Sequence, residues 1–452
     1  MDIIIAGTGK TGLTLARQLI AEGHDLTLID TDRRVLETAL EQHDAMAVCG
    51  NCASRETLLQ AGVKKADLLI AATDADEVNL LCCMTAHGVN PKIHTIARIR
   101  RPEYAEQVMT MPEVFPLSLT VNPEKRAAME IERLLKYPGF LRRDTFAKGR
   151  VEIVELRIDA KSKLSNVALR DLTTVVKCKV LVCAVLRQGN AVAPSGDFVL
   201  NPGDRIFVTA PTATLAVLLK NLGIITRRVR KVLICGGGRV SYYLASMLEK
   251  DGIGVSLLDR NPARCTELAS LLPETSIILG DCSNQSLLDN QGIANVDALC
   301  ALTGMDETNV ITALYANTCN VPQVITKLSR GVSSSIADSL NLGSVVSPRQ
   351  LCSNDIVRYV RAMENQTGAA VSVHAIADGQ VEAMEFLVDE NTKNCGVPLK
   401  ELKTKPNVLI ASITRGAQTE IPNGNSTFSQ GDTLVVVTSG RGVIKRINDI
   451  FA

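Results

Sequence analysis

The sequence contains no tryptophan, and aromatic residues together supply only 3% of it, although 46% of its residues are hydrophobic. A core must therefore be assembled from Val, Ile, Leu and Ala, the composition of parallel sheets covered by helices. Net charge is almost absent as well, since 49 Lys and Arg face 48 Asp and Glu and leave +1. Without a global field nothing draws the chain as a whole to nucleic acid or to an acidic lipid surface, and nucleic acid is not an expected partner. No apolar run is long enough to cross a bilayer, and the most apolar one away from the N-terminus, Val180 to Leu186, is closed by Lys179 and Arg187. The opening MDIIIAGTGK has no basic leader or small-residue cleavage site and reads as a first strand. Thirteen scattered cysteines fit free thiols in a reducing cytosol better than a disulfide framework. The expected compartment is the cytoplasm, with any membrane role borrowed from a partner.

What is present is a repeat. At 452 residues the chain predicts two to four domains. Asp2 to Asp30 aligns with Lys231 to Asp259, and both Gly7/Gly236 and Asp30/Asp259 differ by 229. Gly50 to Asn79 aligns with Gly280 to Asn309 at an offset of 230, and Val151 to Leu172 more loosely with Val381 to Leu402. Turn residues follow in both halves: Pro194, Gly196 and Gly203-Asp204, then Pro422, Gly424 and Gly431-Asp432. Short β-branched runs between such turns predict a small strand-rich part behind each α/β part. The expected fold is a tandem duplication of a Rossmann-type, doubly wound parallel-sheet domain followed by a small α+β domain, with limits at 1–140, 141–228, 229–367 and 368–452.

Each half opens with a glycine loop. After the apolar run Ile3 to Ala6, Gly7-Thr8-Gly9-Lys10-Thr11-Gly12 leads into a helical pattern at Leu13, Ala16, Leu19 and Ile20. Gly7 would permit the tight turn, Gly9 the approach of a pyrophosphate and Gly12 the close packing of helix on strand, with the helix N-terminus facing the anion. Asp30 stands 18 residues beyond Gly12, after the strand Leu26 to Ile29. A carboxylate there accepts ribose hydroxyls and repels a 2′-phosphate, favouring NAD(H) or a plain adenosine nucleotide, a preference that nearby Arg33 and Arg34 blur. The P-loop pattern requires a glycine where Ile4 stands, so Lys10-Thr11 does not make one. In the second half Ser241 replaces the third glycine of Gly236-Gly237-Gly238-Arg239-Val240-Ser241, a change that can usually be accommodated. Asp259 keeps the ribose position, and Asp281 stands where the first half has Asn51.

Hydride transfer needs a substrate pocket with a tuned acid or base beside the cofactor. None of His24, His43, His87, His94 and His374 has a counterpart in the other half, and all five read as surface or loop residues. Cys49-Gly50-Asn51-Cys52 is a CxxC, but Leu279 replaces its first cysteine in the second half, which favours small hydrophobic packing over redox or metal chemistry. No metal site is expected. T-x-x-D-E-x-N recurs at Thr73 to Asn79 and Thr303 to Asn309. It reads either as a helix N-terminus or as a nucleotide-facing loop at the carboxyl end of a strand. Arg98, Arg100 and Arg101 form either a phosphate-reaching group or a solvated basic turn.

Taken with Ile96 to Val108 and Ile325 to Leu351, the paired glycine loops and repeated T-x-x-D-E-x-N resemble the TrkA family, peripheral subunits of Trk potassium uptake systems, over nearly the whole chain. The resemblance implies two nucleotide-binding RCK (KTN) N-terminal domains, each followed by an RCK C-terminal domain. It implies connecting helices after Pro123 and Pro348 that cross to a neighbouring domain, and a pseudo-two-fold chain. It implies a homotetrameric ring on the cytoplasmic face of a TrkH- or TrkG-type channel subunit, with NAD(H) or ATP/ADP altering potassium flux. Carried over by position, Gly7, Gly9, Gly12, Asp30, Thr73 and Glu77 line a first site, and Gly236, Gly238, Asp259, Asp281, Thr303 and Glu307 a second. Thr8, Lys10, Thr11, Asn51, Cys52 and Arg98 complete the first candidate set, and Cys282 the second. The competing classes are an NAD-dependent dehydrogenase with duplicated Rossmann domains and a ligand sensor without a channel partner.

Overall fold

The protein's structure, a computed structural model, describes residues 1–452 apart from 112, 137–139, 161, 223–228, 330–339, 341, 364–369, 440–443 and 445. The domain limits expected at 228 and 368, and part of the Ile325 to Leu351 motif, lie outside the described residues.

The first half begins with β1 (Asp2–Ala6), α1 (Lys10–Ala21), β2 (Asp25–Asp30), α2 (Arg33–Gln42), β3 (Met46–Cys49), α3 (Arg55–Gln60), β4 (Leu68–Ala71), α4 (Asp76–Val89), β5 (His94–Arg98), α5 (Pro102–Thr110), β6 (Leu119–Val121) and α6 (Pro123–Lys136). The six strands form one sheet in the order β3-β2-β1-β4-β5-β6, every neighbouring pair parallel. The central strands are apolar throughout, Ile3-Ile4-Ile5 and Leu68-Leu69-Ile70, because helices bury both faces. Strand order reverses between β1 and β4, which opens a crevice at their carboxyl ends where such sheets take ligands.

The small domain follows as β7 (Arg142–Phe146), β8 (Val151–Arg157), α7 (Leu172–Val176), β9 (Leu181–Arg187), β10 (Asn190–Val192), β11 (Arg205–Pro211) and α8 (Leu215–Leu222). Its antiparallel sheet has the order β10-β9-β11-β8-β7.

The second half repeats both sheets. Its α/β domain holds β12 (Lys231–Cys235), α9 (Arg239–Lys250), β13 (Gly254–Asp259), α10 (Pro262–Leu271), β14 (Ser276–Leu279), α11 (Gln285–Asn290), β15 (Ala298–Ala301), α12 (Asp306–Thr318), β16 (Gln323–Lys327) and β17 (Ser344–Val346), in the parallel order β14-β13-β12-β15-β16-β17. After the helix Pro348–Met363 come β18 (Ala370–Ile376), β19 (Val381–Leu387), β20 (Val408–Arg415), β21 (Gln418–Glu420) and β22 (Thr433–Thr438), in the order β18-β19-β22-β20-β21. The Gly-Asp turns now have a physical reason. Gly203 and Gly431 take φ of 94° and 88°, and each following aspartate is buried under a strand arginine. Arg187 meets Asp204 at 2.7 Å and Arg415 meets Asp432 at 2.8 Å.

The chain divides into two compact units, Met1–Ala128 with Ser347–Val360 and Met129–Val346 with Arg361–Ala452. In the first unit, the helix Pro348–Met363 packs with the first α/β domain. Arg126 Nε lies 3.0 Å from Asp355 Oδ2, and His94 Nδ1 lies 3.0 Å from the Tyr359 hydroxyl. In the second, the end of α6 packs with the second α/β domain, where Gln323 Nε2 donates to the Leu134 carbonyl at 2.9 Å and Lys136 lies 3.3 Å from Asp251. Each connecting helix is thus exchanged between halves.

The second unit also joins the two small sheets through one core, in which Phe146, Ile153 and Phe207 of the first pack with Ile376, Ala383 and Val437 of the second. His374 Nδ1 lies 3.0 Å from Asp144 Oδ1, and its ring packs edge-on against Phe146 at 4.8 Å. Burial opposes the charge of Asp144, but Arg142 and His374 outweigh it and hold the carboxyl well below the usual range. His24 and His374 are therefore buried rather than on the surface or in exposed loops. His24 occupies the tight turn before β2, and the partner of His374 comes from the other half, which no local pattern reveals.

Candidate functional site: two glycine-loop cavities

A cavity of about 920 Å³ opens at the carboxyl ends of β1 and β4. Its wall comprises the glycine loop at Gly7, Gly9, Lys10 and Thr11, the end of β2 at Asp30, the β3–α3 loop at Asn51 and Cys52, and the β4–α4 loop at Thr73 and Asp74, with Arg98 and Arg349.

Two glycines of the loop are required by geometry. Gly7 has φ +94°, and a Cβ there would lie 2.8 Å from the Thr73 nitrogen, whereas a Cβ on Gly12 would lie 2.0 Å from the Gly7 carbonyl oxygen. At Gly9 a Cβ would meet nothing within 4 Å, so this part of the loop stays open for a phosphate-bearing group. Thr8 is buried and ties the loop to Asp30, its N–H and its hydroxyl both donating to Oδ2 at 2.7 Å, while the Asp32 N–H donates to Oδ1 at 3.0 Å. Burial opposes the Asp30 charge, yet these donors outweigh it and hold the carboxyl below its ordinary value of 3.8. An ionised carboxylate is what ribose hydroxyls need as an acceptor.

The repeated T-x-x-D-E-x-N is a loop clamp. Asn79 Oδ1 accepts from the Thr73 N–H and hydroxyl at 2.8 and 2.7 Å, and its Nδ2 donates to the carbonyls of Thr73 and Arg98 at 3.1 and 2.9 Å. Asn309 makes the same four bonds with Thr303 and Lys327. Asp76 accepts from the N–H groups of Arg100 and Arg101, each at 2.8 Å, and so fixes the β5–α5 loop rather than capping its own helix. Arg98 is 8% exposed and donates to the Thr73 carbonyl and Asp74 at 2.8 Å, with Nη1 3.4 Å from the Thr11 hydroxyl. Its buried Nε has no partner among the described residues, an unmet donor beside the cavity.

Four candidates stand outside the linings. Thr8 faces Asp30, and Gly12 supports the loop from behind. Glu77 is engaged by the Tyr104 hydroxyl at 2.7 Å and by Arg101 at 3.3 Å, and Glu307, one residue past the Asp306 that holds Ser329, does not line the second cavity either. Cys52 contributes to the lining, but its thiol partner is Cys82 on α4, whose donated hydrogen bond lowers its pKa, while Cys49 is exposed, so the CxxC is not a pair.

The second cavity, about 620 Å³, is lined by Gly236, Gly237, Gly238, Asp259, Asp281, Cys282 and Thr303, together with Arg260, Asn261 and Arg264. Gly236 has φ +100°, and Gly238 likewise leaves open space where a Cβ would stand. Ser241 is fully buried and donates its hydroxyl to the Gly236 carbonyl, so the hydroxyl is satisfied within the loop. Asp259 accepts from the N–H groups of Gly237 at 2.6 Å and Asn261 at 2.8 Å. Asp281 accepts from the N–H and hydroxyl of Ser283, each at 2.8 Å, which lowers its pKa. Sequence reasoning missed Arg260 and Arg264, although Arg260 directly follows Asp259, and missed Arg349, for which no local signal exists. Open glycine loops set against hydrogen-bonded carboxylates in both cavities, with an unmet arginine donor in the first, fit an adenosine nucleotide.

Comparison with known proteins agrees with this architecture. The family model described as TrkA-N domain matches residues 3–113 and 232–348, and that described as TrkA-C domain matches 153–223 and 383–451. The Trk system potassium uptake protein TrkA of Haemophilus influenzae is 30% identical over 459 residues, covering 100% of this chain and 98% of that protein. A crystal structure of the GsuK RCK domain superposes with a TM-score of 0.60 at 17% identity, covering 97% of this chain and 92% of the other. The GsuK channel bound to NAD superposes with a TM-score of 0.59 at 17% identity, covering 97% and 77%. At such identities the structural likeness speaks for the fold.

Proposed function

This chain belongs to the TrkA family, and from that premise we propose that it is a cytosolic nucleotide-binding subunit that gates a membrane potassium uptake channel. The observation that carries the reading is the pair of cavities, each built from an open glycine loop set against a hydrogen-bonded carboxylate. The ligands are NAD(H) or ATP/ADP, held in the first site by the Gly7 to Thr11 loop, Asp30, Thr73 and Arg98, and in the second by Gly236, Gly238, Asp259, Asp281 and Thr303. NAD in the related fold of the GsuK channel supports that ligand class. Among the described residues no helix is long and apolar enough to cross a membrane. Ion passage therefore belongs to a partner, a TrkH- or TrkG-type subunit, with the protein as a homotetrameric ring on the inner face of the plasma membrane. The proposed division is into four domains, with boundaries after residues 140, 228 and 367.

Gating requires the nucleotide to bind two ring conformations with different affinity, and a shift from 1:99 to 99:1 needs about 5.5 kcal/mol. Several sites per ring supply that at roughly 1–2 kcal/mol each, within the usual range of coupling energies. Deletion should impair growth at low external potassium. The purified protein should co-sediment with a Trk channel subunit and change its potassium flux when nucleotide is added. Flux indifferent to nucleotide, together with NADH turnover on a small substrate, would replace this reading with a dehydrogenase.

A further inference from the structure

We propose that the first cavity selects an adenosine nucleotide with a free terminal phosphate beyond the α-phosphate, as in ADP or ATP, and that the selecting residue, Arg349, is supplied by the second half of the chain. The proposal rests on the nucleotide-binding reading and deepens it. Arg349 is the second residue of the helix Pro348–Met363, whose N-terminal part belongs to the same compact unit as the first α/β domain, and its side chain lines that domain's cavity.

Three observations place it at the phosphate end. Lys10 is the first residue of α1, directly after the open Gly9, and Arg98 lies 3.4 Å from the hydroxyl of Thr11 in the same turn. Arg98 is more than nine-tenths buried, lines the cavity and keeps an unpartnered Nε among the described residues, so an acceptor has a place waiting there. Cys352, one turn beyond Arg349, is near enough to feel the Arg98 guanidinium. Burial pushes that thiol up to about 12, and Arg98 pulls the other way. The first turn of this helix therefore lies at the Arg98 end of the cavity.

Three cations line the cavity against Asp30 and Asp74, and Asp74 is already engaged by Arg98. The diphosphate of a dinucleotide is esterified at both ends and fills the glycine loop. A terminal phosphate adds negative charge and free oxygens, which an arginine fork matches best. Among the described residues, the arginines that line the second cavity come from its own α/β domain. These arginines, Arg260 and Arg264, follow the ribose-side Asp259, with Arg264 Nε donating to the Gly237 carbonyl at 2.7 Å. Counted from Pro123 and Pro348, the residue matching Arg349 is Glu124, a carboxylate. Because Pro348–Met363 links the second α/β domain to the second small domain, a phosphate held by Arg349 acts on the second half's connection while sitting in the first half's site.

The test is calorimetric titration of the full chain with AMP, ADP, ATP and NAD, for the wild type, Arg349→Ala and Arg349→Lys. Arg349→Ala should weaken ADP and ATP at one site per chain by roughly ten- to a hundredfold, the loss of a charge-assisted hydrogen bond, and leave AMP and NAD unchanged. Arg349→Lys should recover part of the loss. Parallel weakening of AMP and ADP would reduce Arg349 to a structural role, and unchanged ADP affinity would remove it from the site, so either result overturns the proposal. A wild type that binds none of the four would instead overturn the nucleotide-binding reading beneath it.

Discussion

The two cavities come from one repeat and are not equivalent. The first has a third loop glycine, a threonine that donates twice to its ribose-side carboxylate, and an arginine from the other half. The second has a serine in place of that glycine, a loop glycine that donates once, and two arginines beside the carboxylate. The clamp that holds the β4–α4 loop is the same in both. Duplication has kept the loop clamp and altered the groups that line the cavities, the expected pattern if each half reads a different nucleotide or the same one with different strength.

The largest effect should come from exchanging the third glycine position. Gly12→Ser places a Cβ 2.0 Å from the Gly7 carbonyl oxygen, whereas Ser241 satisfies its hydroxyl on the matching carbonyl. Gly12→Ser is expected to destabilise by about 3 kcal/mol or more, the upper range for overpacking, and to abolish first-site binding. Ser241→Gly should cost only about 1 kcal/mol, the usual helix penalty for glycine. Equal shifts in the thermal midpoints of the two variants would show that the loops are interchangeable.

Next come the clamps, where the halves should agree. Asn79→Ala and Asn309→Ala each leave buried donors and acceptors unmet at four bonds. Each should cost about 2–4 kcal/mol, a few unsatisfied groups at 1–3 kcal/mol less partial hydration. A large difference between the two in urea unfolding would mean that one half depends on the motif for something besides loop support.

A smaller effect is expected at the carboxylates. Asp30→Ala and Asp259→Ala should each weaken nucleotide binding at their own site by roughly 1.5–3 kcal/mol per charge-assisted bond lost. Only Asp30→Ala also strands a buried threonine hydroxyl and should lower the unfolding midpoint further. Unchanged affinity for Asp30→Ala in titration would remove it from the ribose position.

The smallest effect is a titration. The Asp30 carboxyl sits below its ordinary value of 3.8, so its ionisation contributes stability that is complete above that value and is lost as pH falls through the folded pKa. Thr8→Gly, which copies Gly237, removes one of the donors responsible and should move the Asp30 titration upward when followed by NMR. No movement would mean that the hydroxyl bond does not hold the charge.

Much of this was readable in advance, for identifiable reasons. The duplication, both parallel sheets and the positions of the glycine loops and of the aspartates at the strand ends follow from local patterns: apolar strands, a glycine turn and a carboxylate at fixed spacing. The T-x-x-D-E-x-N motif was visible, but its role was not. Asn79 and Asp76 act on the end of the next strand and the loop beyond it, so capping and ligand contact could not be separated by sequence. Glu77 shows the same limit, since its partner Tyr104 lies on another helix. Arg349 and the Asp144–His374 pair were out of reach because each depends on segments more than two hundred residues apart, brought together only by the exchange of connecting helices and the pairing of small domains.

The account turns on nucleotide acting through a partner. Its most direct test is potassium flux through a Trk channel subunit in vesicles, with this protein added and nucleotide varied, for the wild type and for Asp30→Ala with Asp259→Ala combined. The account predicts flux that changes with nucleotide for the wild type and a response that is lost when both carboxylates are removed. Flux that is the same with and without nucleotide would contradict it.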